Sequence, residues 1–303
     1  MTGHTYRTLD VPVSGGSLRV GVWDPEGDAS ADVLVVHGVT ASHLAWPFVV
    51  ERLPGVRVIA PDLRGRGRSN GLAGPAGMAA HAADLAAVLD ALDIPRLVVV
   101  GHSMGAFVAV VFAHLHPERV ARLVLVDGGL PLDVPAGLAP EELVSRILGP
   151  TAARLSMRFA DAGEYRAFWR EHPAFRADWT PELERYLEYD LVPDSDAFRP
   201  ATSYAVVVDD NTDMNTTTTV PDALAALRHP TVLLTAPRGL MDETPGLYAP
   251  EHLARLLAAH HEMRHERVDD RNHYTIVMSE QGADAVAAVV RREVESAGQV
   301  VAG

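Results

Sequence analysis

Short runs of wholly apolar residues recur along the chain, and longer segments with helical periodicity lie between them. A short run of this kind is typical of a strand that is buried on both faces of a sheet. Turn-forming residues bound several runs, as His37 and Gly38 follow residues 33–36. The pattern predicts buried strands over residues 33–36, 56–60, 97–100, 123–126 and 231–235.

Weaker patterns predict further strands. Alternation of apolar and polar residues through 17–23 predicts a hairpin near the start of the chain, and a short strand is expected near 266–268. The β-branched run from Tyr204 to Val208 predicts a further buried strand.

Helical periodicity separates the strands. Apolar residues at helical spacing predict helices over 78–92, 104–116, 250–259 and 283–294. Strand and helix therefore alternate, and right-handed crossovers between parallel strands place helices on both faces of a sheet. The sequence predicts an α/β fold with a mostly parallel, doubly wound sheet.

The segment 129–220 interrupts the alternation with helix-like stretches. We interpret it as an inserted helical cap. The expected organisation is a core domain formed by residues 1–128 and 221–303, with the cap at 129–220.

Aromatic residues are concentrated within this cap. Eight of them lie between Phe159 and Tyr189. Such enrichment fits a roof over an apolar pocket, although most of these rings are expected to fill the core of the cap itself. Trp169 and Tyr189 are the two that we expect to contact a substrate.

Composition and charge narrow the classes of partner. The chain has 26 basic and 40 acidic residues and a formal charge of -14, so it is expected to repel nucleic acid. It has no cysteine, which excludes disulfides, thiolate metal sites and a cysteine nucleophile. Residues 1–7 lack a basic start with an apolar stretch behind it, and no later apolar run reaches membrane-spanning length. We expect a cytoplasmic protein with neither a nucleic-acid nor a membrane partner.

The strongest chemical signal is Gly101-His102-Ser103-Met104-Gly105. A Gly-x-Ser-x-Gly match alone is modest evidence, but this one follows an apolar strand and opens a helix, as a nucleophile elbow requires. Serine at so sharp a turn is strained, and the two glycines remove side chains that would collide with strand and helix. Ser103 is the predicted nucleophile, and His102 is expected to line the pocket.

The elbow also predicts where a developing oxyanion is stabilised. Two backbone N–H donors are needed, one from the residue after the nucleophile and one from the loop after the third strand. Met104 and Val39 occupy these positions.

Taken together, these motifs resemble the α/β-hydrolase superfamily over nearly the whole chain. The resemblance rests on His37-Gly38, the loop from Asp62 to Ser69, the segment 101–105 and Asn272-His273-Tyr274. It implies the doubly wound sheet, hydrolase chemistry and a triad of serine, acid and histidine. A substrate does not follow from it, because many chemistries share the fold.

The general base is predicted from its position late in the chain. The triad order of serine, acid and histidine places the histidine in a loop after the last strand. Of the 14 histidines, His273 satisfies this requirement. His260, His261 and His265 lie upstream in or beside a helix and a strand, where a solvated role is expected.

Two carboxylates compete to be the triad acid. Asp127 directly follows the strand 123–126. It resembles the acid of fluoroacetate and some haloalkane dehalogenases, certain small esterases and the fungal zearalenone lactonases. Asp242 follows the strand 231–235, where most members carry the acid, but it lies about a turn beyond the usual position. We favour Asp127 and keep Asp242 as the alternative.

These residues predict a serine hydrolase that cleaves a carboxylic ester or lactone without a metal or organic cofactor. The expected partner is a small apolar substrate, and an aromatic polyketide macrolactone of the zearalenone type is one candidate. A homo-oligomer is compatible with the sequence. A serine at the elbow argues against the dehalogenase and epoxide hydrolase branches, which need a carboxylate nucleophile. The alternatives are a carbon–carbon bond hydrolase of vinylogous diketones and a ligand receptor on a hydrolase scaffold.

Overall fold

The computed structural model describes residues 3–135 and 137–301. Within them lie an eight-stranded sheet and a separate two-stranded hairpin. The strands are β1 (His4–Val13), β2 (Gly16–Pro25), β3 (Ala31–Val36), β4 (Val56–Pro61), β5 (Leu97–His102), β6 (Val120–Val126), β7 (Leu191–Asp194), β8 (Ala197–Pro200), β9 (Thr231–Thr235) and β10 (Arg264–Arg267).

The large sheet has the order β1-β2-β4-β3-β5-β6-β9-β10. Strand β2 pairs antiparallel with β1 and β4, and every later pair in this order is parallel. The hairpin of β7 and β8 lies outside this sheet. The mostly parallel sheet predicted from the sequence is confirmed.

Helices connect the strands. They are α1 (Pro47–Val50), α2 (Met78–Ala91), α3 (Met104–Leu115), α4 (Pro140–Leu148), α5 (Pro150–Arg154), α6 (Ala162–Arg170), α7 (Pro181–Tyr189), α8 (Tyr204–Thr216), α9 (Thr219–Ala225), α10 (Pro250–Ala259), α11 (Thr275–Met278) and α12 (Glu280–Val301). In the part of the chain described here, none of these helices combines the length and the apolar character that crossing a membrane requires.

Two hydrophobic cores lie on opposite faces of the sheet. Alternate side chains of each central strand point to opposite faces, so Leu34 and Val36 pack with α2 and α3 while Val33 and Val35 pack with α1 and α12. Both sets are almost completely buried. Burial on both faces is the reason that these strands are apolar throughout.

The residues between β6 and β9 form what we call the intervening segment, which contains α4 to α9 and the β7–β8 hairpin. Aromatic rings of α6 and of the turn after it pack edge to face against one another. The segment returns to the sheet through α8, which contacts α2, and α9, which contacts α2 and α3.

The predicted strand over Tyr204 to Val208 is wrong, because these residues begin α8. The Ser203 side chain caps the helix by accepting a hydrogen bond from the Val206 amide. The four buried residues of α8 recur at helical spacing, but two of them are polar. The apolar residues alone therefore show no helical periodicity, and the sequence shows only a β-branched run. The four buried residues are Val207, Asp210, Asn211 and Met214.

Smaller differences concern element ends. The last strand begins and ends slightly earlier than predicted, at Arg264–Arg267. Helices α1 and α11 were not predicted because four residues are too few to show helical periodicity.

Candidate active site

The carboxyl ends of four parallel strands meet at one edge of the sheet. Val36 of β3 lies beside Gly101, His102 of β5 beside Val126, and Val126 of β6 beside Leu234. Residues that directly follow β3, β5 and β6 are therefore neighbours in space. This edge is where ligands bind in open α/β sheets.

Ser103 sits between β5 and α3 in a strained conformation, with φ 54° and ψ −125°. Its amide donates to the Val126 carbonyl at 2.9 Å, which ties the turn to β6. A Cβ on Gly101 would lie 2.3 Å from the Gly105 carbonyl oxygen, and one on Gly105 would lie 2.1 Å from the Val36 carbonyl oxygen. Only glycine fits at these two positions, so backbone crowding holds the serine at the tip of the turn.

His273 connects Ser103 to Asp127. Its Nε2 lies 2.9 Å from Ser103 Oγ, and its Nδ1 lies 2.7 Å from Asp127 Oδ2. Since a carboxylate only accepts, Nδ1 carries the proton and Nε2 is free to accept from the serine hydroxyl. The imidazole and the carboxylate are both buried.

Asp127 is held rigidly beneath the imidazole. Its amide donates to the Leu234 carbonyl at 2.7 Å, and its Oδ1 accepts from the Ala236 amide at 3.1 Å. The residue has a positive φ of 45°, a conformation that aspartate tolerates better than most residues. Both flanking contacts come from β9 and the residue after it, so neighbouring strands fix the carboxylate.

Asp242, the alternative acid, does not contact His273. Its Oδ1 accepts from Asn272 Nδ2 at 2.9 Å and pairs with Arg238 at 3.0 Å, and a third of its side chain is exposed. Asn272 Oδ1 in turn accepts the amides of Tyr274 and Thr275. Asp242 thus supports the loop that carries His273, without reaching the imidazole.

Val39 and Met104 line the same cleft as Ser103. Among the described residues, neither backbone amide donates a hydrogen bond within the chain. A Cβ on Gly38 would lie 3.1 Å from Ser103 Cβ, a tight contact, so glycine lets the Val39 loop lie this close without displacing Ser103. The two amides are therefore candidate donors to an oxyanion that forms beside Ser103.

A buried ion pair supports the Val39 loop from behind. Arg66 Nε donates to the Val39 carbonyl at 2.8 Å, and its Nη1 pairs with Asp210 at 2.5 Å. Asp210 also contacts His81 Nε2 at 3.0 Å. Burial alone would raise the pKa of Asp210, but His81 and Arg66 lower it below its ordinary value. The sequence does not reveal this network, since its members are far apart in the chain.

We expect Asp210→Asn to lower the free energy of unfolding by about 3 kcal/mol or more, because it leaves the buried Arg66 guanidinium without a counter-charge. Urea denaturation measures the effect. The matched control is Asp209→Asn on the exposed side of the same helix, which we expect to change stability by less than about 0.5 kcal/mol. An equal decrease in the free energy of unfolding in the two variants would show that the ion pair does not stabilise the fold.

His37 ties the end of β3 to the loop after β4. Its Nδ1 donates to the Gly38 carbonyl at 2.7 Å, and its Nε2 accepts from the Leu63 amide at 2.9 Å. Because both nitrogens are used by the neutral ring, protonation would break the bond to Leu63. Burial lowers the pKa of His37 to about 4.

This burial predicts a loss of stability in mild acid. Between pH 6.5 and about 4, His37 is protonated in the unfolded state but stays neutral in the folded state. The free energy of unfolding therefore falls as the pH falls. The expected loss from this group is on the order of 2 to 3 kcal/mol by pH 4.5. Urea midpoints across this range should fall less steeply in His37→Gln than in the exposed-site control His114→Gln. Parallel slopes in the two variants would contradict the prediction.

The cleft beside Ser103 has an empty volume of about 640 Å³, part of it open to solvent. Its lining is mainly apolar and contains no Asp, Glu, Lys or Arg among the described residues. The expectation that His102 lines this cleft agrees with the structure, where its Nε2 also donates to the His273 carbonyl at 2.8 Å. Burial lowers the pKa of His102 well below its ordinary value.

The two aromatic residues expected to contact substrate lie elsewhere. Trp169 is buried in the core of the intervening segment, where its ring packs against Phe175 and Tyr165. The Tyr189 hydroxyl donates to Asp62 at 2.6 Å, beneath a neighbouring guanidinium. Neither residue lines the cleft, so the structure does not support their assignment to substrate.

The Phe and Tyr rings that line the cleft were not singled out from the sequence as substrate contacts. They are Phe107, Tyr186 and Tyr274. Tyr274 directly follows His273, which is the one signal that could have identified it. Phe107 and Tyr186 are placed by helix packing, which the sequence pattern does not reveal.

Comparison with known proteins identifies relatives of this chain by sequence and by fold. Residues 33–166 match the family model for the alpha/beta hydrolase fold. The chain is 39% identical over 150 residues to the lipase LipV of Mycobacterium tuberculosis, which is 50% of this chain and 53% of that protein. It is 30% identical over 247 residues to the N-formylmaleamate deformylase of Pseudomonas putida, covering 80% of this chain and 81% of that protein.

The extent of these matches differs. The chain matches only about half the length of LipV, whereas the match to the deformylase is nearly full-length. Among solved structures, an E-2-(acetamidomethylene)succinate hydrolase superposes with a TM-score of 0.74 at 19% identity, over 95% of this chain and 98% of that one. A likeness at this identity concerns the fold alone.

Proposed function

Because this chain belongs to the α/β-hydrolase family, we propose that it is a serine hydrolase that cleaves an uncharged carboxylic ester or lactone through an acyl-enzyme on Ser103. The observation that carries the proposal is the hydrogen-bonded series from Ser103 Oγ through His273 to Asp127 at the edge of an apolar cleft. Serine, imidazole and carboxylate in this order are the parts that acyl transfer requires.

The first half of the reaction forms the acyl-enzyme. Ser103 Oγ attacks the ester carbonyl while His273 Nε2 takes its proton, and Asp127 stabilises the resulting imidazolium. The amides of Val39 and Met104 donate to the carbonyl oxygen as it becomes negative. His273 then returns the proton to the leaving alcohol, and the bond between the carbonyl carbon and that oxygen breaks.

The second half releases the acid. A water molecule gives its proton to His273 Nε2 and attacks the acyl carbon, and His273 protonates Ser103 Oγ as the serine leaves. In a lactone the leaving alcohol stays attached to the acyl group, so a single hydroxy acid is the product.

The cleft lining supports an uncharged substrate. Burial of a carboxylate in a cleft without a cationic side chain costs several kcal/mol, on the order of a thousandfold in affinity. The substrate named for the Pseudomonas putida relative, N-formylmaleamate, is a carboxylate, and the described lining offers it no Lys or Arg. We therefore infer a different substrate for this chain.

Parallel assays test the proposal. We expect hydrolysis of p-nitrophenyl butyrate and of one or more members of a lactone panel that includes zearalenone, and little turnover of N-formylmaleamate. A vinylogous diketone ring-cleavage product is assayed beside them, since one relative of this chain is named as a 2-hydroxy-6-oxononadienedioate/2-hydroxy-6-oxononatrienedioate hydrolase. Turnover of the diketone alone would overturn the ester proposal in favour of carbon–carbon bond hydrolysis.

A further inference from the structure

Asn211 is a polar residue in an otherwise apolar part of the cleft wall. It lies on α8, its side chain is almost fully buried, and it lines the cleft together with Met214, Phe107 and Leu148. Asp210, the preceding residue, forms a buried ion pair with Arg66, and this pair attaches α8 to the core. Its position is fixed by packing.

The hydrogen bonds of Asn211 are incomplete. Its Nδ2 donates to the Val207 carbonyl at 2.9 Å, one turn earlier in the same helix. Because a carbonyl can only accept, this contact fixes the amide orientation and leaves Oδ1 as the free atom. Oδ1 is buried and accepts no hydrogen bond from the residues that the structure describes. A buried acceptor without a donor is energetically unfavourable, so a ligand that supplies a donor is favoured at this position.

An acceptor in this position selects a donor. An ammonium group is disfavoured because the described lining has no carboxylate to accompany it, which leaves an uncharged hydroxyl or N–H. A hydroxyl fits best with an ester or lactone substrate, since it adds a donor without adding charge.

We propose that Asn211 Oδ1 forms a binding subsite for a substrate hydroxyl, so that the enzyme prefers hydroxylated over unsubstituted acyl chains. This inference rests on the proposed ester or lactone hydrolysis and names its substrate class more narrowly. Buried polar groups that lose their partner discriminate strongly between substrates with and without a hydroxyl.

The test compares p-nitrophenyl hexanoate with its 3-hydroxy and 6-hydroxy derivatives. The 4- and 5-hydroxy isomers are omitted because they cyclise spontaneously to lactones. For the wild-type protein we expect kcat/KM for at least one hydroxy ester to exceed that for the parent ester by about tenfold or more. In Asn211→Leu this preference should fall below about threefold, because kcat/KM for the hydroxy ester falls toward that for the parent ester.

Met214→Leu is the matched control, since it changes an apolar residue of the same helix and cleft and should retain the hydroxyl preference. A wild-type protein without any preference overturns the inference, even if Asn211→Leu does not fold. A preference that survives in folded Asn211→Leu overturns it as well. Failure of the proposed function is distinct, because esterase activity would then be missing altogether or would persist in Ser103→Ala.

Discussion

Replacement of Ser103 by alanine is expected to lower kcat for ester hydrolysis by about 10⁵- to 10⁶-fold. Without Oγ no acyl-enzyme forms, and the remaining groups can only assist direct attack by water. Steady-state kinetics with p-nitrophenyl butyrate measure the effect.

The matched control is Ser42→Ala. Ser42 is another buried serine, and its hydroxyl has no hydrogen-bond partner among the described residues. We expect this variant to retain activity within about threefold of the wild type. If Ser103→Ala also kept activity within that range, Ser103 would not be the nucleophile. A ligand that still raised Tm would then favour the receptor hypothesis.

The second large effect concerns the acid. Asp127→Asn is expected to lower kcat by about 10⁴-fold, the magnitude known for the equivalent change in serine proteases. The amide would favour the wrong tautomer of His273 and could not stabilise the imidazolium. KM should change little, since Asp127 does not line the cleft.

Asp242→Asn is the matched control for this prediction. An asparagine oxygen can still accept from Asn272 Nδ2, so the loop that carries His273 should stay in place. We expect kcat within about fivefold of the wild type. A large loss in Asp242→Asn with a small one in Asp127→Asn would assign the acid to Asp242 and contradict the geometry.

Much of the fold could be predicted because burial leaves a local pattern. Strands such as β3 and β5 are covered on both faces and are therefore wholly apolar. The start of α8 was mistaken for a strand because its buried face includes Asp210 and Asn211. These polar residues are buried for reasons of tertiary structure, which a local pattern cannot show.

The candidate active site was also only partly predictable from the sequence. Ser103 and His273 could be placed from motif and chain order, since a turn between strand and helix and a late loop are sequence features. The sequence favoured Asp127 but left Asp242 open as the alternative acid, because both follow strands of the same sheet. The identity of the acid depends on which carboxylate lies within hydrogen-bond distance of His273 in the folded protein. The assignment of their catalytic roles stays a prediction, as does a cytoplasmic location.

The pocket was the least predictable part. Aromatic enrichment pointed to Trp169 and Tyr189, yet packing within the intervening segment occupies Trp169, and Asp62 binds Tyr189. Residues from distant helices, such as Tyr186 and Asn211, line the cleft instead. Their position depends on how α7 and α8 pack.

Covalent labelling with a fluorophosphonate, followed by mass spectrometry of the digested protein, tests directly whether Ser103 is the nucleophile. We expect one adduct per chain, on the peptide that contains Ser103, formed in step with the loss of esterase activity. Labelling should become very slow in Asp127→Asn, because His273 no longer activates the serine. Loss of activity with Ser103 unmodified, or with the adduct on another residue, would show that Ser103 is not the nucleophile.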